Sequence, residues 1–314
     1  MCVTDPDFDS PSERPRFRRR TLARLTPAAG WQFKTAKICG AVNLGYLSFP
    51  TCGQKNVPYY EKAEAAFAKL FDAARAKDEL QFALSLMSEF RGSRDAGWSS
   101  AEEADRAFGD YLEFLCGPSS RLKLRVALGF YCHLAEASGF YEIPKNMLGV
   151  AEGIGHSITP FSHLVEQNRV TGNEIAPNAN KVIKDLAGHA KNIGHNELAE
   201  VFRDAFDPDL RNAYAHADFV VWNKGIRLNL KLGIPREVPF ADFEVLLERG
   251  LNFFHLLRQI VDQSMLSYSP PRKIAGRLGD GPIGEWTIAC DPEQGIFDVS
   301  GGVPGPAPQG GKVD

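Results

Sequence analysis

The sequence predicts a mainly α-helical protein with small β-hairpins, and three observations support this fold class. Apolar residues recur at helical spacing through most of residues 60–265. Around Asn223-Lys224-Gly225, apolar and polar residues alternate instead, which is typical of a β-hairpin. Both ends of the chain are rich in Pro, Gly, Ser or charged residues and poor in apolar ones, so we expect disordered termini.

Length and composition indicate a globular protein. The 314 residues correspond to about two domains of ordinary size. Hydrophobic residues make up 44% and charged residues 24%, both close to the averages for soluble proteins. The net charge of -3 provides no overall positive field, so a polyanion would have to bind a local patch. Because no secretory signal or apolar stretch of about 20 residues is visible, we expect a cytoplasmic protein without a membrane span.

Four regions follow in order along the chain. Residues 1–30 form a basic arm with five arginines between positions 14 and 20. We interpret this arm as a solvated tail, the alternative being a polybasic segment that holds nucleic-acid phosphates. Residues 31–117 form an N-terminal helical region and residues 118–268 a helical bundle. Residues 269–314 hold a short β segment and a disordered Gly/Pro tail.

The first half of the chain contains several helical patterns. Residues 60–76 carry an amphipathic stripe made of Ala63, Ala66, Phe67, Leu70, Phe71 and Ala74. Residues 79–90 and 101–116 show the same helical spacing of apolar residues, and Gly117-Pro118 then ends the pattern. Residues 121–137 are apolar on most sides, which predicts a buried central helix. Residues 139–176 mix Gly and Pro with apolar positions and allow no clear assignment.

The second half alternates helices with short β segments. Asp207-Pro208-Asp209 is a strong helix start, with an N-cap acid followed by Pro at the first helical position. A helix of about ten residues should follow it. The remaining segments are predicted as helices at 178–191, 196–206 and 240–265, and as hairpins at 219–232 and 283–299.

The short helix after Pro208 carries the residues of greatest chemical interest. At 100° per residue, one face is apolar and should pack against the core: Leu210, Ala213, Tyr214 and Ala217. The opposite face is polar around one small residue: Arg211, Asn212, Ala215 and His216. A cation, an amide and an imidazole around a shallow gap can hold a phosphate and move a proton near neutral pH.

This face resembles the helical HEPN superfamily, whose shared motif is an Arg followed after four to six residues by a His, often with a polar residue directly after the Arg. The match is Arg-Asn-Ala-Tyr-Ala-His at 211–216, and the resemblance to uncharacterised bacterial HEPN-like proteins covers roughly residues 120–266. It implies a HEPN-like helical bundle with a small hairpin inserted after the motif helix. Some toxin members carry a Tyr two residues beyond the His. That position is Asp218 here, which argues against the toxin subtype paired with a nucleotidyltransferase.

The resemblance also implies an activity. Active members of the superfamily are metal-independent ribonucleases whose site forms across a dimer of paired motif helices. We therefore expect a homodimer that cleaves RNA, with Arg211, Asn212 and His216 as catalytic residues and with no cofactor or metal. The alternative is a non-catalytic interaction or nucleotide-binding module in a defence or regulatory system, with an operon-encoded partner whose identity the sequence does not give.

Simpler interpretations of these residues are structural. Arg211 and His216 can be solvated, with Arg211 in an ordinary ion pair with Asp207 or Asp218. A second Arg/His pair at motif spacing, Arg249 and His255, lacks the polar residue after the Arg and lies inside a predicted long helix, so we do not interpret it as a site. Six cysteines without a CxxC pair predict reduced thiols.

Overall fold

Helices account for most of the chain that the computed structural model describes, namely residues 57–90, 100–116, 121–229, 235–293 and 296–302 together with three two-residue strands nearer the N-terminus. The predicted mainly α-helical class is confirmed. The helices are accompanied by small antiparallel sheets. Among the helices of these described residues, none is both long and apolar enough to cross a bilayer.

Helix α1, Val57–Lys77, has the predicted amphipathic stripe. The stripe residues are all nearly inaccessible to solvent: Ala63, Ala66, Phe67, Leu70, Phe71 and Ala74. Helix α2, Glu79–Leu86, begins where the Asp78 side chain accepts a hydrogen bond from the backbone N–H of Gln81, and it ends in a 3₁₀ turn, Met87–Phe90. Helix α3 spans Ser100–Cys116.

Helix α4, Arg121–Glu136, is the buried helix that its apolar sequence predicts. Helix α5, Ser138–Glu152, falls in the segment without a clear assignment and contains Pro144. A proline inside a helix costs about 3 kcal/mol. Burial of large side chains offsets that cost, because several residues of α5 are at most 5% exposed: Phe140, Tyr141, Ile143, Met147, Leu148 and Val150.

After α5 the chain runs through a loop that carries a minimal hairpin, β4 (Glu166–Gln167) with β5 (Glu174–Ile175). Helix α6, Ala179–Asn192, follows, with the Asn178 side chain accepting from the backbone N–H of Lys181 at its start. Helix α7, Asn196–Ala205, packs against α6 and α1. Both helices lie within two residues of their predicted bounds.

Helix α8, Pro208–Ala215, is shorter than the ten residues predicted. Its predicted start is confirmed, because Asp207 Oδ1 accepts from the backbone N–H groups of Asp209 and Leu210, each at 3.0 Å. The predicted hairpin follows as β6 (Phe219–Val221) and β7 (Gly225–Leu228). A third strand that the sequence did not predict, β8 (Arg236–Pro239), pairs with β7 and places Arg236 against Asp207 and Asp209.

Helix α9, Phe240–Leu266, is the predicted long closing helix. Its buried residues lie in the core of the protein, where aromatic side chains from α1, α7 and α9 meet. The Phe253 ring lies 5.5 Å from that of Phe67 and 6.0 Å from that of Phe202, measured between centroids. Buried side chains from both sides of the predicted boundary at residue 117 belong to one continuous hydrophobic cluster.

A second sheet follows α9 and extends the predicted hairpin by one strand on each side. Strands β9 (Arg272–Arg277), β10 (Ile283–Asp291) and β11 (Ile296–Gly302) are antiparallel neighbours. Strand β1, Ala23–Arg24, pairs with β11. The sheet thus takes in two residues of the basic arm, Ala23 and Arg24, and the first two residues of the Gly/Pro tail, Gly301 and Gly302. Backbone pairing with β10 and β11 holds these residues.

The rest of the basic arm and of the Gly/Pro tail lies outside the described residues. Of residues 31–56, the structure describes only the short strands β2 (Val42–Asn43) and β3 (Ser48–Phe49), which pair with each other. Among the cysteines of the described part of the chain, Cys132 and Cys290 are free thiols, both buried.

Candidate active site

The candidate site is built at the C-terminal end of α8. The backbone N–H of Ala217 donates to Tyr214 O at 3.0 Å, and that of Asp218 donates to Ala213 O at 2.8 Å. This pair of hydrogen bonds is a Schellman motif, which turns the chain out of the helix after His216. Ala217 takes the left-handed position of the motif, with φ of 56°. A residue with a Cβ costs about 1 to 2 kcal/mol there relative to glycine.

The predicted apolar face of α8 is correct at its buried centre and wrong at its end. Leu210 and Ala213 are 1% and 5% exposed. Tyr214 is half-buried, its hydroxyl lying over α4 where a Cβ added to Gly129 would come within 2.9 Å of it. Ala217, predicted to face the core, is exposed instead, because the helix ends before it and the left-handed turn rotates its side chain away from the core.

Arg211 links α8 to α4. Its Nη2 forms an ion pair with Glu136 Oε1, and its Nη1 donates to Asn212 Oδ1 at 2.8 Å. The side chain is only 13% exposed, and burial lowers the pKa of the guanidinium from its ordinary value. Its Nε is buried without an acceptor among the described residues. Since Glu136 is the partner, neither Asp207 nor Asp218 holds this arginine.

Asn212 links α8 to α6. Its Oδ1 accepts from Arg211 and also from Nδ2 of Asn180, which lies 3.2 Å away in the first turn of α6. The amide of Asn212 is therefore oriented by two donors from different parts of the chain. Together, Arg211 and Asn212 join three helices at one surface, and their side chains are held in defined orientations.

His216 has a different environment from the other two motif residues. It is exposed at the end of α8, and its backbone N–H donates to Asn212 O at 3.0 Å. Within the described part of the chain, no hydrogen bond or ion pair involves its imidazole. The structure thus brings the three predicted residues onto one short helix, with Arg211 and Asn212 constrained and His216 open to solvent.

Three residues of this environment could not be identified from the sequence. Glu136 is the last residue of α4, and Asn180 looks like any exposed polar residue of an amphipathic helix. Cys132, one turn before Glu136, lies near Arg211. Burial raises the pKa of the Cys132 thiol to about 12, so the thiol is neutral at physiological pH. No spacing rule connects these residues with Arg211, since only tertiary packing brings them together.

Other candidate sites do not combine a cation, an amide and an imidazole as α8 does. Arg249 lies over the Tyr59 ring at 5.9 Å on the long helix α9, and burial lowers the pKa of His255, which is typical of packing residues. A cleft of about 260 Å³ between α1 and the α6–α7 turn contains Lys69 and His195 but none of the motif residues. In the described ranges, no group of three or more His, Cys, Asp or Glu side chains is placed to hold a metal ion.

Comparison of the chain with protein families, with curated proteins and with solved structures gave no match in any of the three.

The two small residues Ala213 and Ala215 allow a test of the faces of α8. Ala213→Leu should overpack the core and lower the free energy of unfolding by ~1 to 3 kcal/mol, because Ala213 is 5% exposed. Ala215→Leu should leave stability nearly unchanged, because Ala215 is exposed, yet it should hinder any contact made by the motif face. Urea denaturation of both variants measures the difference. Equal destabilisation would contradict the assigned faces.

Proposed function

We propose that this protein is a HEPN-type, metal-independent endoribonuclease of the cytoplasm that acts as a homodimer. The observation that carries the proposal is the arrangement on α8. His216 presents an exposed imidazole, while Arg211 and Asn212, in the same eight-residue helix and its immediate surroundings, are oriented by Glu136 and Asn180. An open proton carrier beside a fixed cation and amide suits the cleavage of a phosphodiester.

The order of elements supports the same assignment. An acid-capped motif helix is followed by a small antiparallel hairpin and then by a long helix that packs beside α4. This order is the one that the resemblance to the HEPN superfamily implies for residues 118–268. The proposal therefore includes a HEPN-like bundle within the mainly helical fold, with α8 as the motif helix.

The chemistry requires two proton-transfer groups. The 2′-hydroxyl of one nucleotide loses its proton and attacks the adjacent phosphorus, while the 5′-oxygen of the next nucleotide leaves and takes a proton. The products are a 2′,3′-cyclic phosphate and a 5′-hydroxyl. One imidazole accepts the first proton, and His216 of the partner subunit donates the second. A two-fold axis that places two α8 ends in one cleft supplies both groups.

Arg211 would contribute through the hydrogens that its partners leave available. A guanidinium has five N–H donors, and only one on Nη1 and one on Nη2 are assigned to Asn212 and Glu136. The remaining Nη hydrogens can stabilise the negative charge that develops on the phosphoryl oxygens. Glu136 then keeps the guanidinium in place. Its carboxylate also brings a negative charge close to the substrate.

The contacts that Arg211 and Asn212 make within the chain favour a second candidate function. Arg211 and Asn212 have partners within the chain, as expected of residues that hold α8 against α4 and α6. A non-catalytic interaction or nucleotide-binding module, in a defence or regulatory system with an operon-encoded partner, would use this face for contact alone. Cleavage of RNA by the purified protein separates the two functions.

Cleavage should not depend on divalent cations. The proposed site uses Arg, Asn and His, and none of these groups requires a metal to bind phosphate or transfer a proton. We expect a fluorescently labelled single-stranded RNA to be cut at the same rate in excess EDTA as in Mg²⁺. The products should carry 2′,3′-cyclic phosphate ends. Activity that disappears in EDTA and returns with Mg²⁺ or Mn²⁺ would rule out this mechanism.

A further inference from the structure

Helix α6 carries a line of cations that begins beside the motif. Taking Asn180 as 0° on the helical wheel, Lys191 lies at about 20°, Lys184 at about 40° and Lys181 at about 100°. The buried residues Val182, Leu186 and Ala190 occupy the opposite side. We call Lys181, Lys184 and Lys191 the lysine ridge. Over the ten residues from Lys181 to Lys191, the ridge extends about 15 Å along the helix.

Two of the three lysines of the ridge, Lys184 and Lys191, are not neutralised by nearby acids. Lys184 and Lys191 are exposed, and no carboxylate in the described part of the chain pairs with either of them. Lys181 pairs with Glu166 at 2.6 Å, but both side chains are well exposed, so this pair contributes little and can open. The ridge therefore presents at least two free positive charges to solvent.

The acidic residue of α6 is occupied elsewhere. Asp185 lies at about 140° on the wheel, where Lys145 of α5 is 2.7 Å and His163 is 2.8 Å from its carboxylate oxygens. Although burial opposes its ionisation, hydrogen bonds from Lys145 and His163 lower the pKa of the Asp185 carboxyl below its ordinary value. The negative charge of Asp185 is thus compensated by Lys145 and His163 and not by a lysine of the ridge.

The ridge is continuous with the candidate active site. Asn180 lies on the same line of α6 as Lys184 and Lys191, and its Nδ2 donates to Asn212 Oδ1 at 3.2 Å. Between Lys184 and Lys191, Gly188 is exposed, and a Cβ added to it would meet no atom within 4 Å. Along α6, the surface that starts at Asn180 therefore bears the unpaired positive charges of Lys184 and Lys191, and it is open at Gly188 between them.

We propose that the lysine ridge binds the phosphate backbone of single-stranded RNA and leads the strand to His216. The proposal rests on the proposed ribonuclease function and names the surface that holds its substrate. Charge complementarity supports RNA as the occupant, since ammonium groups spaced along a helix contact successive phosphates without reading sequence. The overall charge of -3 makes such a local patch necessary for binding a polyanion.

Binding of a labelled, single-stranded RNA tests the ridge in the full chain carrying His216→Ala, which prevents cleavage during the measurement. Lys184→Gln with Lys191→Gln should weaken binding about 20-fold at 0.1 M salt and lower the salt slope by about 1.4, because each single-strand phosphate contact contributes about 0.7. The matched control is Lys273→Gln with Arg277→Gln, which removes the same charge from the exposed strand β9. It should bind like the parent.

A gain of affinity excludes misfolding as the explanation. Gly188→Lys adds a cation at an open position of the ridge and should strengthen binding about 5-fold, with a steeper salt dependence. Gly188→Ala, which improves helix propensity without adding charge, should leave the affinity unchanged. Equal affinities for Gly188→Lys and Gly188→Ala would contradict the proposal.

The remaining outcomes separate the ridge from the ribonuclease function. If the wild type cleaves RNA and the ridge variant binds like its control, the ridge assignment is wrong while the function stands. The same conclusion follows if binding is lost only when the arm arginines are replaced by Gln: Arg14, Arg16, Arg18, Arg19 and Arg20. Tighter binding of poly-glutamate than of RNA of equal charge would assign the ridge to an acidic protein. A wild type that neither binds nor cleaves RNA would overturn both proposals.

Discussion

Replacing His216 by Ala is expected to abolish RNA cleavage while leaving RNA binding largely intact. General acid–base transfer typically contributes ~10²- to 10⁴-fold to a rate, and His216 is the titratable proton carrier of the motif. Because the imidazole is exposed and makes no described hydrogen bond, its removal should not change the fold. Single-turnover cleavage and equilibrium binding of the same labelled RNA measure the two effects separately.

His195→Ala is the matched control, since His195 lies in the cleft near Lys69 and not on α8. It should cleave like the wild type. Mixing His216→Ala with wild-type subunits should also lower activity more than dilution does, because mixed dimers lack one of the two imidazoles. If His216→Ala cleaves at the wild-type rate, the catalytic assignment fails, whatever the oligomeric state.

Arg211→Ala should reduce both binding and cleavage, but its interpretation needs a second variant. The change removes the ion pair with Glu136 as well as the phosphate donor. Glu136→Gln keeps a hydrogen-bond acceptor for the guanidinium and removes a negative charge near the substrate. If Arg211 acts on phosphate, Glu136→Gln should retain cleavage and bind RNA more tightly. If the wild type never cleaves RNA, yet His216→Ala and Arg211→Ala both disrupt a dimer or a partner complex, the interaction-module function replaces the enzyme.

The largest expected effect on stability is that of Phe253→Ala. Phe253 is 1% exposed and its ring contacts those of Phe67, Phe202, Phe206 and Phe254. Truncation leaves a cavity among rings from α1, α7 and α9 and the ring of Phe206, which directly follows α7, so the surroundings can collapse only in part. We expect the free energy of unfolding to fall by ~3 to 5 kcal/mol.

Urea denaturation followed by circular dichroism measures this loss. Phe114→Ala is the control, because Phe114 is 43% exposed on α3 and its truncation should change stability by less than about 1 kcal/mol. A similar loss for both variants would show that α1, α7 and α9 do not share the core described above.

The sequence predicted elements whose determinants are local. The stripe of α1 is visible because residues three and four apart share a helix face. The start of α8 is visible because its determinants are adjacent in the sequence. Asp207 accepts hydrogen bonds from free N–H groups of the first turn, and Pro208 has no N–H group that needs an acceptor. The hairpin of β6 and β7 is visible because its turn and its alternation lie within one short segment.

Helix α5 shows why local rules are incomplete. Pro144 and the nearby glycines have low helix propensity, and the propensities of the other residues in that segment do not outweigh them. The helix forms because its apolar side chains fill the space between α1, α2 and α6, which exists only in the folded protein. Strands β8 and β9 were missed for the same reason, since each is defined by its pairing partner rather than by its own pattern.

The candidate site divides in the same way. The residue types and spacing of Arg211, Asn212 and His216 were visible in the sequence, as was the buried face formed by Leu210 and Ala213. Only the tertiary structure decided that Glu136 and Asn180 hold the first two, that α8 ends before Ala217, and that Lys184 and Lys191 continue the line that starts at Asn180. Helix periodicity acts within one or two turns, whereas ion pairs between helices depend on how distant segments pack. The start of α8 and its buried residues were therefore predictable, and its electrostatic surroundings were not.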